Sequence, residues 1–260
     1  MTGMNLFSEK ISNRLWKIFH SRHSFKWRDF SGETAPHPND SEMNDLEKTF
    51  WHNTNRAIDK WHHYFKIYDK FFSSKRNIPL RVLEIGVQSG GSMRMWRDYL
   101  GQEAILFGID IDPRCALFDG EYGMVRIGSQ DDPAFLQRVV EEMGGIDVVI
   151  DDGSHHSRHL RVSFETLFPL LSDGGYYIAE DLHCCYWPDW KGGYMRSSSF
   201  IEYAKTLIDN MHHWYHGQGQ KRIAARDILS ALHFYDSMII FEKHKTLKPI
   251  CSSRGSNRLY

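Results

Sequence analysis

The chain has little cysteine: Cys115, Cys184, Cys185 and Cys251 are the only four in 260 residues. No two of them form a C-x-x-C pair, and adjacent Cys184 and Cys185 are badly placed to share one tetrahedral metal. That pattern excludes a disulfide scaffold and reads as reduced, cytoplasmic usage. Long apolar runs are missing too. None approaches the ~18 residues of a membrane-spanning helix, and "MTGMNLFSEKISNRLWKIFHSRHSFKW" lacks the unbroken apolar core of a secretory leader. Nor does one sign of charge dominate: 32 Lys and Arg face 33 Asp and Glu, for a net charge of −1. A near-neutral chain gives no bulk electrostatic case for nucleic acid or an anionic membrane. Aromatic residues are plentiful instead, at 14% with eight Trp, which suits an aromatic-lined pocket and equally a well-filled core.

The length fits one large α/β domain, with or without an appendage. Leu6, Ile11, Leu15, Ile18 and Phe19 follow a roughly helical spacing with basic residues between them, as in a helix packed on its own domain or on a second subunit. Residues 28–45 are polar, carry two prolines and read as a loop. "DLEKTFWHNTNRAIDKWHHYFKIYDKFF" has helical spacings sufficient for one or two helices. We take residues 1–75 as a helical cap or oligomerisation segment, and 76–260 as the main domain. From position 81 strands and helices alternate. "RVLEIGV", "ILFGIDID", "GMVRIGS", "IDVVIDD" and "GGYYIAED" read as strands; "GGSMRMWRDYL", "PAFLQRVVEEM" and "RHLRVSFETLFPLL" read as helices between them. Such alternation implies parallel strands joined by right-handed crossovers. After a further helix, "ALHFYDSMIIFEKH" makes two strands with so short a connection that the last must be antiparallel. The expectation is a Rossmann-like, doubly wound, mostly parallel seven-stranded sheet with an antiparallel last strand, preceded by N-terminal helices.

The turn "LEIGVQSGGS" places Glu84, Gly86, Gly90, Gly91 and Ser92 between a strand and a helix. Glycines there let the backbone pass close beneath a ligand at a helix N-terminus. The spacing matches neither the dinucleotide G-x-G-x-x-G nor the P-loop G-K-[ST], so nothing in it is built to grip a pyrophosphate or triphosphate. Asp110 ends the next strand, where a carboxylate accepts hydrogen bonds from ribose hydroxyls; Asp112 is second in line. Ser129, Gln130 and Asp131 end the third strand, on the adenine side, while Asp132 before Pro133 is a helix N-cap. A nucleoside site without phosphate machinery favours S-adenosylmethionine over NAD.

Asp151 and Asp152 end the fourth strand, and Glu180 and Asp181 end the fifth. Parallel neighbours bring those ends together, and four converging carboxylates repel one another unless a cation joins them. A hard, oxygen-seeking ion such as Mg²⁺ would do so. The alternative is that Asp151 or Asp152 caps the next helix while Glu180 and Asp181 face solvent. His155 follows within reach of anything held there, and a histidine is the residue type suited to a general base at neutral pH. His156 and His159 lie nearby, and His183 is a second candidate base or substrate contact.

Together, "KWHHYFKIYDKFF", "LEIGVQSGGSMRMWRDY", "GIDIDP", "IGSQDD", "VIDDGSHH", "SFETLFPLL", "GGYYIAEDLH" and "HFYDSMIIFEKH" resemble the class I S-adenosylmethionine-dependent sugar O-methyltransferases of the macrocin and mycinamicin type. Cephalosporin hydroxylase-like proteins share their fold. The resemblance spans residues 57–245 and implies a dimer or larger that methylates a sugar hydroxyl of a glycoside or glycan. It implies Asp152, Glu180 and Asp181 as magnesium ligands and His155, beside Asp152, as catalytic base. It also implies Glu84, Gly86, Asp110 and Ser129, Gln130 and Asp131 as cofactor contacts; Gly90, Ser92 and Asp151 join that set. "EDLHCCYW" departs from the family by carrying Cys184-Cys185 where Thr-Ser is common. The acceptor would be met by the helices of residues 46–72 and by "YWPDWKGGYMRSSS" as a lid. Rival readings are a catechol-type O-methyltransferase, a hydroxylase-like protein and a non-catalytic binder.

Overall fold

The computed structural model describes residues 37–216, 225 and 227–255; the helical pattern of residues 6–19 lies outside them. Seven strands form one sheet in the order β3-β2-β1-β4-β5-β7-β6. They are β1 (Arg81–Ile85), β2 (Ile105–Asp110), β3 (Met124–Ile127), β4 (Ile146–Asp151), β5 (Leu171–Ala179), β6 (Leu229–Tyr235) and β7 (Met238–Lys243). β1 to β5 run parallel, and β7 pairs antiparallel with both β5 and β6. β5 begins three residues before Gly174, earlier than the sequence pattern implies, and its register against β4 shifts between Ile146 and Val148.

Six principal helices flank the sheet: α1 (Asp45–Trp51), α2 (His62–Phe72), α3 (Gly91–Leu100), α4 (Pro133–Met143), α5 (Ser157–Leu167) and α6 (Phe200–Met211). Both faces of the central strands are apolar, because successive side chains point to opposite sides and helices cover each side. Leu83, Ile85, Ile109 and Val149 pack toward α4, α5 and α6. Val82, Leu106, Val148, Ile150 and Ile178 share a second core with Leu46 of α1, Tyr64, Phe65, Tyr68 and Phe72 of α2, and Trp96 of α3. The described part of residues 1–75 therefore contributes to the sheet's own core. α4 starts as its sequence implies, with Asp132 accepting from the Ala134 and Phe135 amides and Pro133 at the first helical position.

The register positions the site. Ile85 lies beside Asp151, and Asp151 beside Ala179. The residues that follow these strands, Gly86, Asp152 and Glu180, therefore emerge side by side at the carboxyl edge, where open parallel sheets bind ligands.

Candidate active site

At that edge Gly86 adopts φ +98°, and a Cβ placed on it would lie 2.2 Å from the Asp152 carbonyl oxygen. Only glycine lets the β1 turn pass so near the end of β4. Gly91, which opens α3, is equally confined: its Cβ would meet the Ala57 carbonyl oxygen at 2.2 Å. The loop of residues 53–61, between α1 and α2, is thereby seated on the glycine turn.

The turn and the ends of β2, β3 and β4 enclose a cavity of about 380 Å³, within the range of small-ligand sites. Of the residues expected at the site, Gly86, Ser92, Asp110, Ser129, Gln130, Asp152, His155 and Asp181 line it. Asp110 accepts from the Val87 and Gln88 amides at 3.0 and 2.9 Å and from the Asp112 amide at 2.9 Å. Asp112 instead caps the following turn and pairs with Arg114. Among the described residues no Arg lines the cavity and its one Lys, Lys60, is committed elsewhere, so that donor set suits a nucleoside rather than a phosphate.

Glu84, Gly90, Asp131, Asp151 and Glu180 do not line the cavity. Glu84 is buried behind it, accepting from Trp96 Nε1 at 3.0 Å and Ser92 Oγ at 2.9 Å. Burial pushes its carboxyl up to about 7, against the pull of Lys60. Gly90 has φ +74° and packs under the Phe118 ring. Asp131 accepts from Ser129 Oγ at 2.6 Å, which lowers its pKa, and faces His159 at 3.6 Å. Asp151 is fully buried and accepts from Gln130, Ser163 and Tyr177. Through Gln130, whose Oε1 takes the Ser154 amide at 2.7 Å, it shapes the cavity wall from beneath. Neither Asp151 nor Asp152 caps α5, whose N-cap is His156 without a side-chain bond.

The acid rim contains a residue that sequence reasoning did not find. Lys60 Nζ donates to Asp152 Oδ2 and to both Glu180 oxygens, the latter at 2.8 Å. Burial opposes its charge, but Asp152, Glu180 and Glu84 more than offset that and raise its pKa. Tyr68 donates to Glu180 Oε1, and Tyr64 donates to Asp181 Oδ1 at 2.9 Å. Burial first, then the neighbouring Asp152 charge, raises the Glu180 carboxyl. Asp181 and His155 both sit in the left-handed backbone region, with φ of +54° and +55°, conformations that non-glycine residues hold only where the surroundings enforce them.

His155 Nε2 lies 3.8 Å from Asp181 Oδ2 and 4.0 Å from Asp152 Oδ1. Ligand atoms of Asp152, His155 and Asp181 come within 4.8 Å of one another. Two open carboxylate oxygens beside a histidine fit a hard divalent ion. His155 Nδ1 is buried with no hydrogen-bond partner among the described residues. His183 stands on the far side, its Nδ1 against Ser237 Oγ, its ring edge-on to Trp61 and Trp187. Burial lowers its pKa. Ser237, in the β6–β7 turn, also accepts at its carbonyl from the Leu182 amide and Tyr64. Cys184 and Cys185 are buried free thiols. The segment expected as a lid lines none of the cavity; Gly192 packs against Cys185 and Trp187 meets His183 and Trp190.

This sheet order, with its reversed strand beside β5, is the methyltransferase variant of the Rossmann-like fold. Residues 83–182 match the family model described as "Methyltransferase domain", and the chain carries such a domain. It is a homologue of the sugar O-methyltransferases of the macrocin, mycinamicin and tetracenomycin type. It is 37% identical over 202 residues to the 8-demethyl-8-(2-methoxy-α-L-rhamnosyl)-tetracenomycin-C 3'-O-methyltransferase of Streptomyces olivaceus, a match covering 72% of this chain and 51% of the relative. To the demethylmacrocin O-methyltransferase of Streptomyces fradiae it is 34% identical, covering 71% of this chain and 50% of that protein. Among solved structures it resembles the MycE methyltransferase of the mycinamycin biosynthetic pathway, in complex with Mg, SAH and mycinamycin VI. The TM-score is 0.70 at 32% identity, over 79% of this chain and 55% of that one. The chain spans about half the length of these relatives.

Proposed function

We propose that the chain transfers a methyl group from S-adenosylmethionine to a sugar hydroxyl of a glycosylated natural product or glycan. The observation that carries this reading is His155 flanked by Asp152 and Asp181 at the edge of the cavity that Gly86, Asp110 and Ser129 also line. Its support from relatives is that the homologues named above methylate antibiotic sugars and that the similar solved enzyme was captured with Mg and SAH.

Asp110 would accept from the ribose hydroxyls, with Ser129 and the backbone of Gly128 beside the adenine. The turn at Gly86 leaves room for the methionyl part. S-adenosylmethionine supplies an electrophilic sulfonium methyl. Asp152, Glu180 and Asp181 would hold Mg²⁺, and a bound Mg²⁺ would make a sugar hydroxyl more acidic. His155, half-buried beside those carboxylates, would take the hydroxyl proton. Gln130 and Asp151 keep the Gly153–Ser154 turn in place so that His155 faces the acceptor side.

We further infer a homo-oligomer contacted through the N-terminal helical segment, a cytoplasmic location consistent with the free thiols, and no role for nucleic acid. No described helix is long and apolar enough to cross a membrane. The cap, residues 1–75, and the catalytic domain, 76–260, are a functional division.

Calorimetric titration of S-adenosylmethionine and S-adenosylhomocysteine, first with Mg²⁺ and then with EDTA, tests the reading. Both ligands should bind under both conditions, while turnover of a rhamnosyl glycoside should stop in EDTA. No binding in either condition would end the methyltransferase reading, and turnover of catechols but not glycosides would move the acceptor to the catechol class.

A further inference from the structure

Glu84, Asp152, Glu180 and Asp181 crowd one rim, and the cation that faces them there belongs to the chain. The Lys60 side chain is 2% exposed, although its carboxylate partners lie 92 and 120 positions further along the sequence. An ammonium has three donors and no acceptor, and all three are directed at Asp152 Oδ2 and the two Glu180 oxygens. Tyr68 takes Glu180 Oε1 as well. While Lys60 stays, both Glu180 oxygens and one Asp152 oxygen are engaged. A divalent ion draws its affinity from negatively charged oxygens, and Lys60 engages three of these on Asp152 and Glu180, leaving Asp152 Oδ1 and Asp181 Oδ2 facing His155. Two cations on the same Asp152 carboxylate would repel across a few ångströms of interior, where little water screens them.

We propose that Lys60 is an internal cation that occupies the carboxylate site of the metal-free chain and is displaced when a divalent metal binds, so that metal loading moves the loop of residues 53–61. The inference rests on the metal reading given above for Asp152, Glu180 and Asp181. Ala57 and Ile58 of the loop pack against Gly91, and Trp61 meets the His183 ring. Asn53 Nδ2 donates to the Arg56 carbonyl at 2.7 Å, and Arg56 reaches Glu121 at 2.7 Å on the exposed side and lies over the Phe118 ring. Ala57, Ile58, Asp59 and Lys60 form one wall of the cofactor cavity, so withdrawing Lys60 loosens that wall. The metal and nucleoside sites are coupled through one side chain.

The test is calorimetric titration of Mn²⁺ into wild type, Lys60→Met and Lys60→Arg, with amide hydrogen exchange of residues 53–61 recorded with and without the ion. Lys60→Met should bind Mn²⁺ at least about tenfold more tightly, since it removes a cation held in direct contact with the ligands. Lys60→Arg, which keeps a cation, should stay close to wild type. Mn²⁺ should speed exchange across residues 53–61 of the wild-type chain. Lys60→Met binding Mn²⁺ no more tightly than wild type would overturn the proposal while leaving the metal reading intact. Absence of Mn²⁺ binding in both proteins would overturn the metal reading, and this inference with it. If Lys60→Met does not fold, wild-type exchange decides: slowed or unchanged exchange over the loop on adding Mn²⁺ refutes displacement.

Discussion

Replacing Gly86 by alanine tests how closely the ends of β1 and β4 approach. Its φ of +98° is one that a side chain strains, at about 1–2 kcal/mol for a left-handed residue. The new Cβ would also stand 2.2 Å from the Asp152 carbonyl oxygen, 2.9 Å from its carbon and 3.1 Å from Gly153 Cα. All three are backbone atoms, so no side-chain rotation relieves the contact. Overpacking of this kind costs about 1–3 kcal/mol, which brings the expected loss to about 2–5 kcal/mol. The Gly86 amide is tied to the Ile109 carbonyl at 2.8 Å and the Asp152 amide to the Ile85 carbonyl at 3.0 Å. Relief must therefore move the Asp152–His155 segment. Urea denaturation should report the stability loss, and calorimetry should show S-adenosylhomocysteine affinity reduced by about tenfold or more, the equivalent of roughly 1.4 kcal/mol. A Gly86→Ala protein as stable as wild type and binding the ligand normally would refute the reasoning.

Two further outcomes follow from the same geometry. His155→Ala should reduce turnover by about 10²–10⁴-fold, the usual worth of a general base, while calorimetric affinity for S-adenosylhomocysteine stays near wild type; loss of both together would make His155 structural instead. Asp151→Ala strips the acceptor from the buried Gln130, Ser163 and Tyr177 groups and should lower stability by about 3 kcal/mol or more, since each stranded donor costs about 1–3. Denaturation curves that superimpose on wild type would remove Asp151 from that role.

The fold was legible because the alternation of apolar strands, glycine turns and amphipathic helices is local, and because the Tyr-Asp-Ser link is too short for a parallel pair. Strand-end acids were legible for the same reason: a parallel sheet fixes which ends meet. What a single position does within that edge was less so. Asp151 and Asp152 are neighbours, yet strand alternation sends one into the core and the other to the rim, and the sequence pattern alone does not say which carboxylate finds buried donors. Glu84 and Glu180 do not line the cavity and are engaged by Trp96 and Lys60, partners distant from them in sequence. Lys60, Tyr64 and Tyr68 escaped because their partners lie more than ninety positions away. A signal did exist: Tyr64 and Tyr68, four apart, put two hydroxyls on one helix face, and Lys60 lies four positions before the first of them. The sequence pattern places residues 53–61 in a helical stretch, and the seat of this loop on Gly91 depends on a backbone contact that no local pattern encodes.

β7 lies between β5 and β6, although it is made after both. Until its residues leave the ribosome, β5, the strand that leads into Glu180 and Asp181, is an unpaired edge, and such edges are prone to wrong partners. Ser237, at the start of that late arrival, is also what grips His183, Leu182 and Tyr64. A nascent or interrupted chain stopping before this hairpin would hold the acids without their brace. Assembly of the acid rim is in this way deferred until residues 229–243 have been made, well after the strands whose ends carry the acids.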